Sequence, residues 1–382
     1  MKLGSLADEE ATGNTSRPSS SLGLPLTEGA YIAIGVYVTL LGAGAFIGNV
    51  SVLVVILSQK AALRKLQNLL LLNLATADLL VTVTAYPLTS VSSFHKHWLF
   101  GDVGCKVSGF LVFCLTMVSL NTLTAIAVFR FILVCKPMYH HLLRPESAKP
   151  ALLASWLQAA VWTSLPLFGW SQYVPEPFLT SCTVDWGGRS ASNLSYVAMT
   201  IILCFVVHLV IISFCYVRIL VISRRLTFGV RKNSNMIRLE EVLWHHKVET
   251  ERNVTRMCMV MMATFLLCWT PYALLSCLAI AGLPLSAAMS TLPTMFAKVS
   301  CVVNPVIYAF MSSSFRKICW KLFPRGQRNQ NRVATAGIEL PGKSQTQPQQ
   351  RAPVREYCGD MTRAGVYIGN MVISLEVQST VF

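Results

Sequence analysis

Charge is scarce in this sequence. Only 13% of its 382 residues are Asp, Glu, Lys or Arg, against about 25% in soluble domains. So few charges cannot coat a soluble protein of this length, so lipid must replace water over much of the surface. A cleavable signal peptide is also missing, because the opening MKLGSLADEEATGNTSRP has no apolar core. The first membrane span is expected to do the targeting. No internal repeat is evident, which disfavours an inverted-repeat transporter. Acids are the scarcest charge, 17 against 32 Lys and Arg, for a formal net charge of +15.

A basic chain raises the possibility of nucleic-acid binding, but the positions of the cations argue against it. Seven apolar segments of spanning length lie near 30–57, 68–91, 102–135, 151–170, 195–222, 254–281 and 286–311. Lys60, Arg64 and Lys65 follow the first segment, and Arg144 and Lys149 precede the fourth. A run from Arg224 to Arg256 separates the fifth from the sixth, and Arg316, Lys317 and Lys321 follow the seventh. All these connectors fall on one side, which the positive-inside bias makes cytoplasmic. The other side has only Lys96, Lys106 and Arg189. The expected fold is an all-α membrane protein, a seven-helix bundle in the plasma membrane with its N-terminus extracellular and its C-terminus cytoplasmic. Residues 1–29 form an outer tail and 30–311 the bundle. Residues 312–323 read as a short amphipathic eighth helix on the inner leaflet, in contact with lipid. Residues 324–382 read as a mostly disordered polar tail.

Most of the 12 cysteines lie inside apolar runs, where free cysteine is a small hydrophobe. Cys105 and Cys182 instead fall at outer-face positions, where an oxidising compartment favours a disulfide. Asn14 and Asn193 are glycosylation sequons on the outer side, whereas Asn49 and Asn253 match the pattern in or below the membrane. The terminal Thr380, Val381 and Phe382 could offer a carboxylate to a PDZ-type groove, or end an uncommitted tail.

Polar groups inside spans are expensive and suggest function. Asn49, Asp78, Ser119 and Asn304 occupy spans 1, 2, 3 and 7, as interhelical glue or as a hydrated switch region. Pro271 and Pro305 are expected to kink spans 6 and 7. Lys298 stands in MFAKVSCVVNPVIY, about a dozen residues from either end of its span, roughly 18 Å at 1.5 Å per residue. That is too deep to snorkel. A structural salt bridge would need an acid within reach, and Asp78 is the one acid deep in a span.

The motifs GNV (Asn49), LNLATADLL (Asp78), Trp156, CWTPY (Trp269, Pro271) and NPVIY (Asn304, Pro305, Tyr308), with Cys105 and Cys182, resemble the rhodopsin-like G-protein-coupled receptors over roughly residues 30–323. Lys298, six residues before Asn304, resembles the lysine on which opsins carry retinal as a Schiff base. The loop GWSQYVPEPFLTSCTVDW resembles that of non-visual opsins of the neuropsin group, with encephalopsin-type opsins next.

The resemblance implies several roles. Retinal, 11-cis or all-trans, is covalent on Lys298, and Cys105 pairs with Cys182. Ser108 stands where visual opsins of vertebrates carry a glutamate counterion. Of the outer acids Asp102, Glu176 and Asp185, the loop position of Glu176 makes it the counterion. Trp269, Tyr272, Phe205 and Phe113 line the pocket, although ordinary core packing would also explain Phe113. Asp78, Arg130, Glu251, Asn304, Pro305 and Tyr308 form the activation switch. The partners implied are a heterotrimeric G protein, arrestin and a receptor kinase. No metal, catalytic residue or nucleic acid is implied.

Two departures stand out. Phe129 replaces the acid before Arg130; Glu251 could still pair with Arg130 across the bundle, and the lock should be weaker. His208 replaces a usual proline and reads as a hydrogen-bonded histidine of the core. The main reading is a light-activated receptor and not an enzyme. The alternatives are a retinal photoisomerase with little signalling and a receptor for a diffusible ligand.

Overall fold

The structure is a computed structural model. It describes residues 26–60, 62–230, 238–283, 286–312, 315–318, 364–368 and 371–375. Among these, seven helical spans are long and apolar enough to cross a membrane: Glu28–Leu57, Leu66–Phe94, Gly101–Cys135, Pro145–Phe168, Ala191–Arg224, Glu249–Ile280 and Ala287–Met311. The chain is a multi-pass membrane protein. Side-chain oxygens start several helices, as polar caps should. Thr27 accepts from the Ala30 amide at 3.3 Å, Ser190 from Asn193 at 3.1 Å and Ser286 from Met289 at 3.2 Å.

The sequence led us to expect a kink at each of Pro271 and Pro305. The helices Arg238–Ile280 and Ser300–Met311 continue through Pro271 and Pro305. Pro305 has no amide hydrogen for the Cys301 carbonyl four residues back. Asn49 Nδ2 supplies it at 2.9 Å, so a side chain from span 1 repairs the ladder. Gly48 makes this approach possible, because a Cβ there would lie 2.7 Å from the Pro305 ring.

Span 7 breaks at Val299, between helices Ala287–Lys298 and Ser300–Met311. The Val299 amide turns to Phe296 O at 3.1 Å and the Val302 amide to Val299 O at 3.0 Å. The carbonyls of Met295 and Lys298 thereby lose their usual donors. Tyr37 and Tyr86 hydroxyls donate to them at 3.1 and 2.7 Å. Span 2 also breaks, at Ala85, just before Tyr86 and Pro87. Span 5 contains a π-helical segment, Ile201–Val206.

A two-stranded antiparallel hairpin, β1 (Tyr173–Pro175) and β2 (Cys182–Val184), covers one end of the bundle, with Pro175 opposite Cys182. The Cys105–Cys182 disulfide ties it to span 3. Gly109 allows the close fit, since a Cβ there would lie 2.6 Å from the Tyr173 ring. Asn193 lies beside this hairpin. It is buried, and its Nδ2 donates to Asp185 O at 2.6 Å and Gly188 O at 3.0 Å while its Oδ1 accepts from Ser171 at 2.5 Å. A glycan on that nitrogen would take one of its two hydrogens and so one of the two donated bonds. Glycosidase treatment should therefore give the same mobility shift for wild type and Asn193→Gln; a smaller shift in the variant would reinstate Asn193 as an acceptor. Asn14 lies outside the described residues.

At the other end, residues 315–318 are helical, and the Phe315 amide donates to Ser312 Oγ at 3.1 Å. Residues 313–314 and 319–323 of the expected eighth helix lie outside the described residues. A separate unit, Trp320–Phe382, holds one hairpin. Within the tail expected to be mostly disordered, Ala364–Ile368 pairs antiparallel with Met371–Leu375. The β-branched residues of GVYI and MVIS flank a two-residue Gly369-Asn370 connection, a hairpin signal the composition of the tail had hidden.

Candidate functional site

A cavity lies among the spans beneath the hairpin. Lys298 of span 7 lines it with Trp269 and Tyr272 of span 6, Phe205 of span 5, Phe113 of span 3 and Glu176 of the hairpin loop. Every pocket residue proposed from sequence therefore meets in one place. The walls are mostly apolar, as a site for a long hydrophobic ligand requires. The break in span 7 and the π-segment of span 5 explain the convergence. The first sets Lys298 at a helix end, and the second turns Cys204 and Phe205 into the cavity.

Among the described residues lining the cavity, Lys298 is the one base and Glu176 the one acid. The other outer acids are engaged elsewhere. Asp102 pairs with Lys106 at 2.7 Å, and Asp185 accepts from Gln172 at 3.0 Å and from the Gly188 amide at 2.8 Å. Glu176 is buried, and its Oε2 accepts from Ser181 Oγ at 3.0 Å. Burial pushes its carboxyl above the usual carboxylate range, while the Lys298 charge and hydrogen bonds from Ser181, Thr294 and Tyr272 pull it back. Of the three ion pairs among the described residues, none joins Glu176 to Lys298. The amine instead lies 5.7 Å from the centroid of the Tyr86 ring, whose face attracts a cation.

Several neighbours escaped sequence reasoning. Trp186 Nε1 donates to Tyr272 Oη at 2.8 Å, and Thr183 shares a hydrogen bond with the same hydroxyl at 2.8 Å. Trp269 Nε1 donates to Ser300 Oγ at 3.2 Å, and Ser300 in turn to Ala297 O at 2.8 Å. Trp269 is thus fastened to the break beside Lys298. Tyr86 is the largest omission. Its neighbour Pro87 was a legible signal for a break in span 2, but contact with Lys298 across 212 residues was not.

The polar residues divide into two groups. Asp78 accepts from Ser119 at 3.0 Å and from Asn304 at 2.8 Å, uniting spans 2, 3 and 7. Asn49 joins span 7 through Cys301 instead. Tyr308 is buried, its ring 6.4 Å from Phe315. At the basic end, Arg130 Nη1 meets Glu251 Oε2 at 2.7 Å. Phe129 is partly buried and packs against the apolar core. His208 is hydrogen-bonded, to Leu203 O at 3.1 Å and Asn121 Oδ1 at 2.9 Å, yet it sits at the edge of the bundle and not in its core.

Residues 48–308 match the family described as "7 transmembrane receptor (rhodopsin family)". The chain belongs to this family. It is 34% identical over 294 residues to the G0-coupled rhodopsin of Mizuhopecten yessoensis, covering 77% of this chain and 72% of that one. It is 31% identical over 317 residues to the pinopsin of Columba livia, covering 82% and 87%. The crystal structure of squid rhodopsin superposes with a TM-score of 0.73 at 27% identity, covering 79% of this chain and 87% of that one. The receptor is a light-sensing opsin. Its relatives include molluscan rhodopsin, pinopsin and melanopsin at 31% to 34% identity, so none of these groups claims it. The resemblance of its loop to the neuropsin group rests on sequence alone.

Proposed function

We propose that this opsin carries retinal, 11-cis or all-trans, on Lys298 and couples light to a heterotrimeric G protein. One observation carries the reading: a single base and a single acid line one apolar cavity under a disulfide-anchored hairpin. The residues fit the group, because the amine is not tied up in an ion pair and the walls include Phe113, Phe205, Trp269 and Tyr272. Retinal joined to Lys298 as a protonated Schiff base supplies the absorption of light and the change of shape.

The protein's own residues supply the rest. Lys298 Nζ is the nucleophile toward an aldehyde, and its nitrogen then bears the positive charge. The Glu176 carboxylate balances that charge in a low-dielectric site. Trp269 is placed to feel a change of shape and to pass it to span 7 through Ser300. Release of Arg130 from Glu251 would open the basic face, which we assign to the cytoplasm, with the N-terminus outside. The coupling named for relatives, G0 and GQ rhodopsins, supports a G protein there. Arrestin and a receptor kinase would use the same face. Thr380, Val381 and Phe382, the suggested PDZ ligand, lie outside the described residues.

The test is to purify the full chain with 11-cis and then all-trans retinal, and to record spectra and G-protein nucleotide exchange before and after light. A light-shifted pigment that accelerates exchange is expected. Absence of covalent loading would overturn the reading. Phe129, in place of an acid beside Arg130, favours a second reading, a photoisomerase. Conversion and release of retinal without exchange would select it.

Without an acid at 129, the lock rests on the Arg130–Glu251 pair, and Glu251 is half exposed. Glu251→Gln should raise exchange in darkness several-fold, as expected when the pair's about 1 kcal/mol is lost. Unchanged dark exchange would show that the pair holds no lock.

A further inference from the structure

A second cavity, of about 220 Å³, opens sideways between spans 3, 4 and 5. Asn121 and Thr124 line it from span 3, Ala151, Ser155 and Gln158 from span 4, and His208 from span 5. No Asp, Glu, Lys or Arg faces it. Gln158 is exposed and lies ten residues inside the nearer end of its span, about 15 Å along the helix. It therefore meets hydrocarbon, not water.

Three side chains form a relay. His208 places one ring nitrogen 3.1 Å from Leu203 O and the other 2.9 Å from Asn121 Oδ1. Asn121 Nδ2 donates to Ser155 O at 3.1 Å and to Gln158 Oε1 at 2.7 Å. A carbonyl can only accept, so the Ser155 contact fixes the Asn121 amide with its nitrogen toward span 4. Gln158 must then offer its oxygen to Asn121 and turn its NH2 outward. Among the described residues that nitrogen has no partner. An unpaired amide donor costs several kcal/mol in hydrocarbon, so the relay lacks one acceptor.

We propose that this cavity binds an uncharged, membrane-dissolved molecule bearing one acceptor oxygen, a carbonyl on an apolar body, which takes the Gln158 hydrogens. Charged ligands are excluded by depth and by the uncharged walls. A second copy docking symmetrically through span 4 would bring Gln158 against Gln158, and is the alternative occupant that the test separates. The site also reaches the first cavity. His208 holds Leu203, in the π-segment whose Cys204 and Phe205 line the Lys298 cavity.

The probe is benzophenone, an uncharged two-ring ketone that cross-links on irradiation. The full chain, without retinal and in lipid nanodiscs, would be irradiated with it and the labelled peptides mapped by mass spectrometry. Label is expected on span 4 around Ala151–Gln158 and on span 5 near His208. Gln158→Met keeps the length of the side chain and removes the donor, and should cut that label at least tenfold. Label on spans 6 and 7 would report the Lys298 cavity and should not change, which also shows that the variant has folded. Equal span-4 label in wild type and Gln158→Met would overturn the proposal. So would label confined to the Lys298 cavity, or a dimer that Gln158→Met dissociates.

Discussion

Lys298→Ala is expected to abolish the pigment. After incubation with 11-cis retinal, the purified variant should show no visible band beyond that of free retinal, and no mass increase from a covalent adduct. The loss should be complete, because no other Lys or Arg lines the cavity. An aldehyde needs an amine within bonding distance, and the protein offers one. Misfolding would not explain the loss. The contact that holds this part of span 7 runs from the Tyr86 hydroxyl to the Lys298 backbone carbonyl, which alanine retains. Removing a buried amine also relieves a desolvation cost. A coloured, covalently loaded and photosensitive Lys298→Ala protein would refute the assignment of the site.

Glu176→Gln should move the absorption of the pigment into the ultraviolet at neutral pH. The carboxylate is the one negative charge at the cavity wall, and glutamine of nearly equal shape cannot replace it. At about 5 Å and an effective dielectric of about 20, a unit charge contributes ~3 kcal/mol. That is a factor of about 100 or more in proton occupancy at the Lys298 nitrogen. A spectrum identical to wild type from pH 5 to 9 would remove Glu176 as counterion.

The same residue gives the protein without retinal a pH dependence of opposite origin. Burial raises the Glu176 carboxyl above its ordinary value of 4.5. The folded chain therefore holds this proton more tightly than the unfolded chain does. Its contribution to stability is full below the ordinary value and is lost as pH rises through the raised one. The thermal midpoint of wild type should fall over that interval relative to Glu176→Gln, which has no proton to lose there. Parallel curves for the two proteins would count against a buried, proton-holding Glu176.

Much of this receptor is legible in one dimension. A span announces itself by length and apolarity, because each helix satisfies its own backbone and needs only lipid or a neighbour around it. Lys298 was conspicuous for the same reason, as a cation where hydrocarbon tolerates few. Glu176 emerged from the resemblance of its loop position to that of opsins, together with the scarcity of acids. The prolines were half legible, since their local effect on the ladder was clear and its remedy was not. The carbonyl that Pro305 leaves without its usual donor is satisfied by Asn49, over 250 residues earlier. The Asn193 sequon is a similar case. Its pattern is local, but its burial among Asp185, Gly188 and Ser171 is a product of the folded loop.

Sequence by itself determined the seven spans and the buried amine, because these follow from local composition and the cost of charge in lipid. Only the tertiary structure decided where span 7 breaks, that Tyr86 braces Lys298, and that His208, Asn121 and Gln158 form a second polar site facing the bilayer. Those outcomes depend on which orphaned donor meets which orphaned acceptor across helices, and distance along the chain carries no record of that pairing.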